Sequence, residues 1–105
     1  MKKFYAVLGL LVALSIVLTA CGGKSAGATA TVADCPKPEV FCVALVTDVG
    51  RVTDKSFNQS AWEGLQKAQA DGNADLIQYV ETTDAKDYGK NIATFADAGF
   101  DVIVT

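Results

Sequence analysis

The stretch TDVGRVTDKSFNQSAW, residues 47–62, joins an apolar strand to an amphipathic helix through polar and backbone-permissive residues, and that junction decides the fold. Immediately upstream, CVALV at residues 42–46 is a short, β-branched apolar run of the kind that fills a strand buried in a parallel sheet. Downstream, Ser56 followed three residues later by Gln59 matches a capping box, and Ala61, Leu65 and Ala68 fall along one helical face. Strand, loop and helix N-terminus in that order build the crevice outside the carboxyl end of an open α/β sheet, where such folds bind small ligands. Asp48, Phe57 and Asn58 are thereby placed to face a ligand.

Further along the chain, the helix opened by Ser56 runs to about Ala70, because Asp71-Gly72-Asn73 is a stop and turn signal. DLIQYVE at residues 75–81 reads as a second strand. Asp84 and Asp87 then stand where carboxylates suit a helix start, and Ile92, Phe95, Ala96 and Gly99 form the stripe and terminator of a second helix. FDVIV at residues 100–104 is a third strand. The order β-α-β-α-β implies right-handed crossovers and an α/β three-layer parallel sheet, most simply with the first strand in the middle. So small a sheet has little core and needs further elements over its faces, so the chain reads as the front piece of a larger protein.

Towards the amino terminus, Lys2 and Lys3 precede FYAVLGLLVALSIVL, a run too short and one-sided for a confident spanning helix, and residues 1–20 read as a signal peptide. It ends in Leu18-Thr19-Ala20-Cys21, small residues before a cysteine as in a bacterial lipobox, which makes Cys21 the expected lipidation site. The chain of 105 residues has nine basic and twelve acidic residues; cleavage before Cys21 leaves seven against twelve, a net charge of −5. Such a surface argues against nucleic acid as a partner. The expected location is the cell membrane, lipid-anchored on the extracytoplasmic face, with several acyl chains making the attachment effectively permanent.

Residues 21–40 read as a lipid-anchored flexible tether, since GGKSAGATATVA at 22–33 is small, polar and without periodicity. Within that span Cys35 lies seven residues before Cys42, separated by a segment holding Pro36 and Pro38. In an oxidising compartment the two could form a disulfide; the other reading makes Cys42 a small buried hydrophobe and Cys35 a free thiol.

The chemistry is that of binding rather than catalysis. With no histidine in the chain, histidine triads and histidine metal ligands are excluded. Thr47, Thr53 and Ser56 are the only nucleophile candidates near the crevice, and none has a recognisable base or elbow motif. No metal or cofactor is expected. A receiver-like magnesium site would want a carboxylate where Thr105 stands at the end of the third strand. On spacing alone, Asp48, Phe57 and Asn58 also admit structural readings as turn former, core or staple residue and first-turn residue.

FCVALVTDVGRVTDKSFNQSAWEGLQKA and DYGKNIATFADAGFDVIVT closely resemble the N-terminal part of the basic membrane protein family, across residues 41–105. The TDVG, DKSFNQ and AWEG blocks in their correct order carry the resemblance. It implies a substrate-binding lipoprotein of an ABC importer, not an enzyme, with a permease partner, a membrane anchor and a purine nucleoside as ligand. It also implies the type I periplasmic-binding-protein fold, of which residues 41–105 hold only the start of the first lobe. Carried over by position, Asp48 contacts the bound nucleoside, Phe57 stacks on the base and Asn58 hydrogen-bonds near it. Relatives often carry an acidic residue where Thr53 stands, so the electrostatics of this loop differ here. Trp62, in the AWEG block, reads first as a core residue. Two other classes stay open: a same-fold binding protein for a sugar or signalling molecule, and a flavodoxin-like or receiver-like domain.

Overall fold

Six consecutive residues, 42–47, are buried in β1 (Cys42–Val49), because this strand is paired along both edges and covered on both faces. The computed structural model of the chain describes residues 29–105; the expected signal peptide, Cys21 and the first part of the tether lie outside the described residues. After β1 come α1 (Phe57–Ala70), β2 (Leu76–Thr82), α2 (Tyr88–Asp97) and β3 (Val102–Val104). The sheet is parallel in the order β2-β1-β3, with the first strand central as its unbroken apolar run requires.

The period-2 alternation of β1 sorts the core into two layers. Ala44 and Val46 pack with Phe95 and Phe100 on the α2 face, joined by half-buried Tyr88 and Ile92. Val43 and Leu45 pack with Leu65 and Ala74 on the α1 face, with Ala61 and Trp62 against them. Each fully buried Leu or Val contributes roughly 1.5–3 kcal/mol, so Leu45 and Val46, both 0 % exposed, are among the chief ties between sheet and helices. Trp62 meets Tyr79 edge to face with ring centroids 4.7 Å apart, well inside the range where aromatic pairs attract.

Both helices end in the same way. Gly72, at φ 77°, follows α1, and Asn73 N–H donates back to the Ala68 carbonyl at 2.8 Å. Gly99, at φ 80°, follows α2, and Phe100 N–H donates to the Phe95 carbonyl at 3.1 Å. This left-handed closure satisfies carbonyls that would otherwise be orphaned, and the Phe95–Phe100 ring contact at 4.9 Å is its usual apolar companion. Because Phe100 closes that turn, β3 begins at Val102 rather than at Phe100 as the apolar run suggests.

The tether expected over residues 21–40 gives way to ordered chain before it reaches β1. Val32–Asp34 form a 3-10 turn whose start is closed by Asp34 Oδ2, which accepts from Thr31 N–H at 2.9 Å. Cys35 and Cys42 are joined in a disulfide with a Cα–Cα distance of 5.6 Å, and both are buried in the α2-face core. Pro36 lies against Gly99, where an added Cβ would come 3.1 Å from Pro36 Cγ. Polar composition averaged over the window hides these few anchoring residues, which are aperiodic and act through contacts distant in sequence.

Candidate functional site

At the carboxyl end of the sheet the pairing of β1 with β2 slips. Val46 pairs with Val80 but Val49 pairs with Thr82, so β1 carries one extra residue across Thr47 and Asp48. A hydroxyl fills the break in the ladder: Thr82 N–H donates to Thr47 Oγ1 at 2.9 Å, and Thr47 Oγ1 donates to the Gly50 carbonyl at 3.0 Å. Gly50 N–H returns to the Thr82 carbonyl at 3.2 Å, and Asn91 Nδ2 of α2 donates to Thr82 Oγ1 at 3.1 Å. Val52 N–H donates to Glu81 Oε1 at 3.0 Å, tying the next residues of the loop to β2.

The loop then enters α1, though not through the expected capping box. Ser56 is the N-cap residue but its side chain makes no capping hydrogen bond. Asp54 does the work instead: its Oδ1 accepts from Ser56 N–H at 2.8 Å and from Gln59 N–H at 3.2 Å. Gln59 Oε1 reaches back to Lys55 N–H at 3.0 Å. That bond supports Lys55 at φ 58°, a left-handed conformation costing a non-glycine residue about 1–2 kcal/mol. Desolvation raises the Asp54 pKa, but the amide donors of Ser56, Gln59 and Asn58 and the Asn58 side chain outweigh it and hold the carboxyl below its ordinary value. Asp54 is therefore the helix cap, and an aspartate two residues ahead of the first amide it accepts from was the available signal.

The site residues expected from the sequence separate into two kinds. Asn58 is buried, 2 % exposed, and its Nδ2 donates to Asp48 Oδ1 at 2.9 Å. Gly50 leaves room for this amide, since a Cβ there would fall 2.9 Å from Asn58 Nδ2. Asn58 thus stands beneath Asp48 and braces it, rather than offering its amide at the surface, and its Oδ1 is buried with no hydrogen-bond partner. Phe57, the first residue of α1, is 62 % exposed and belongs to neither core cluster, which removes the core reading for it. Asp48 is exposed at the strand end. Trp62, half-buried, packs against the α1-face core, as its first reading had it.

Two open depressions flank Val49. One, of about 220 Å³, is lined by Asp48, Val49, Thr82, Ala85 and Tyr88. The other, of about 280 Å³, is lined by Val49, Gly50, Arg51, Glu81, Thr82 and Thr83. Both fall short of the roughly 300–1,000 Å³ typical of a small-molecule site, so these residues make one wall of a site and not an enclosure. Thr82 and Tyr88 were not singled out from the sequence, and Thr47 only as a nucleophile candidate; the rule that ligands lie outside the carboxyl ends of strands points to Thr82 once β2 is placed. Among the described residues no cluster of His, Cys, Asp or Glu could hold a metal ion, and no helix is long and apolar enough to cross a membrane.

A carboxylate braced from below, an exposed aromatic ring next in sequence to the residue that braces it and a sheet edge open to solvent are suited to holding a polar, flat molecule. Comparison with known proteins gives the family. The Bmp family, described as ABC transporter substrate-binding protein PnrA-like, matches residues 41–105. The CD4+ T-cell-stimulating antigen of Listeria innocua is 38 % identical over 98 % of this chain and 30 % of its own length. The protein of the same description in Listeria monocytogenes matches with the same identity and coverage. The ABC transporter nucleoside-binding protein BmpA of Lactococcus lactis is 32 % identical over 97 % of this chain and 29 % of its own length. The chain thus spans less than a third of the length of these relatives. No solved structure matches it.

Proposed function

This chain belongs to the Bmp family of PnrA-like ABC transporter substrate-binding proteins, and from that premise we propose that the complete protein is a lipid-anchored receptor delivering a purine nucleoside to a membrane permease. The observation that carries the ligand class is Phe57, whose ring is left 62 % exposed at the start of α1, next to the residue that braces Asp48. An exposed aromatic face costs burial energy that a stacked base recovers, and a carboxylate accepts hydrogen bonds from ribose hydroxyls or base amino groups. The likeness to a relative named as nucleoside-binding supports the same reading. Anchoring rests on Lys2, Lys3, the apolar run and Cys21, and would hold the receptor at the extracytoplasmic face.

With one wall of a site present, residues 29–105 supply only the first lobe's share of the contacts, and hinge closure of a second lobe would complete the enclosure. The test is calorimetric titration of the full-length protein with adenosine, guanosine, inosine and ribose. Binding of a nucleoside at micromolar strength or tighter, without binding of ribose, supports the proposal. Tight binding of ribose alone would replace it with a sugar receptor. Fatty-acid labelling that is lost in Cys21→Ser tests the anchor.

A further inference from the structure

The extra residue in β1 is held by one hydroxyl group, and that hydroxyl sits next to Asp48. Val43 and Leu45 face α1 while Ala44 and Val46 face α2, so strict alternation would send Thr47 towards α1 and Asp48 towards α2. Instead, Thr47 Oγ1 lies in the ladder between strands, accepting from Thr82 N–H at 2.9 Å and donating to the Gly50 carbonyl at 3.0 Å. Asp48 is consequently freed from the alternation. Its carboxylate reaches Asn58 of α1 at 2.9 Å while it also lines the depression beside Ala85 and Tyr88. Thr47 is 0 % exposed and Thr82 1 %, so both hydroxyls are closed off from bulk solvent, although Thr82 lines the two depressions.

We propose that Thr47 is the positioning residue of the site: its hydroxyl, bridging Thr82 N–H and the Gly50 carbonyl, fixes the bulge that presents Asp48 to ligand. This rests on Asp48 being a ligand contact. The residue must be small and branched to fill a buried strand position, and must both accept and donate one hydrogen bond; valine satisfies only the first demand and serine mainly the second. Thr82 serves as the far end of the clamp, with its own hydroxyl held by Asn91 Nδ2 at 3.1 Å.

The experiment is a double-mutant cycle in the full-length protein, read by titration with whichever of adenosine, guanosine and inosine binds the unmodified protein most tightly. Thr47→Val is expected to weaken binding about tenfold in the native background and less than about twofold with Asp48→Asn, while Thr47→Ser stays close to native. An equal loss in both backgrounds would overturn the proposal. A second reading needs no ligand: the side-chain amide resonances of Asn58 should shift in Thr47→Val and remain in place in Thr47→Ser. Unchanged Asn58 resonances in Thr47→Val would overturn it whatever binds. If Thr47→Val does not fold, Thr47→Ala gives the same two readings. Asp48→Asn that binds nucleoside as tightly as the native protein would instead sink the proposed role of Asp48, and the two failures are thus distinguishable.

Discussion

Asn58 Nδ2 donates to Asp48 Oδ1 at 2.9 Å from a position that is 2 % exposed, which joins the first turn of α1 to the end of β1 through one buried amide. The amide supplies a proton to the Asp48 carboxylate at the end of β1, while Asp54 takes its own donors from the Ser56 and Gln59 amides. Replacing Asn58 with Asp exchanges the donor to Asp48 for a second carboxylate facing the first. Asn58→Asp should lose about 2–3 kcal/mol of stability at neutral pH and recover part of it on acidification, as the introduced carboxyl takes up a proton and can donate again. Urea denaturation at pH 7 and pH 5 checks this. Equal losses at both pH values would mean that the bond to Asp48 matters only through packing.

Gly50→Ala tests the same junction sterically. The added Cβ would come 2.9 Å from Asn58 Nδ2, so the amide must shift away from Asp48. Overpacking of this kind costs about 1–3 kcal/mol, and nucleoside binding should weaken together with stability. Paired calorimetric and thermal melts would show it; binding untouched by the substitution would separate Asn58 from the ligand site.

Phe57→Ala should behave in the opposite way. The ring is 62 % exposed and lies outside both core clusters, so stability should change by no more than about 0.5 kcal/mol. Nucleoside binding, in contrast, should fall at least about tenfold through loss of the stacking face. A large drop in melting temperature with unaltered affinity would return Phe57 to a structural role.

Acid should unfasten the start of α1. The Asp54 pKa is lowered from its ordinary 3.8 in the folded chain, so ionised Asp54 stabilises the fold above 3.8 and that contribution is lost as pH falls through the lower, folded value. Asp34, beside Lys37 and Thr31, and Asp84, at Lys86, are shifted in the same direction. Asp54→Asn keeps an acceptor for Ser56 N–H and cannot titrate, so its pH–stability curve should be flatter at the acid end. An acid limb as steep as that of the native protein would place the titration elsewhere.

Reducing the Cys35–Cys42 disulfide should lower stability by about 2–3 kcal/mol, the loop-closure contribution for so short a loop. Cys35→Ser with Cys42→Ser should match the reduced native protein. Nucleoside affinity should be unchanged, because the disulfide lies at the start of β1 and the site at its end. A melting temperature indifferent to reductant would show that Pro36 against Gly99 and the packing of Val40 suffice to hold this segment.

The succession of elements was legible because each has a local signal. CVALV is continuous where β1 is covered on both faces, and Gly72 and Gly99 stand where each helix needs a left-handed residue. Asp48 and Phe57 could be singled out by the same logic, since a strand end followed by a helix start locates the crevice before any contact is known. The capping role of Asp54 was within reach but hidden by a better-known pattern at Ser56 and Gln59. Ordered residues 31–40 were not legible, because Cys35, Pro36 and Val40 earn their order from Cys42, Gly99 and Phe95, which composition does not connect.

The β-α-β-α-β order and the central place of β1 follow from the sequence alone, since hydrophobic period and turn residues act within a few positions of one another. Only the tertiary structure decided that Asn58 braces from beneath while Phe57 stays exposed, and that Thr47 holds the break in the ladder. Neighbouring positions on a helix start differ by about 100° in direction, and a bulge exists only between two paired strands. Which way each side chain points is therefore settled when Thr82, 35 residues from Thr47, comes to lie beside it.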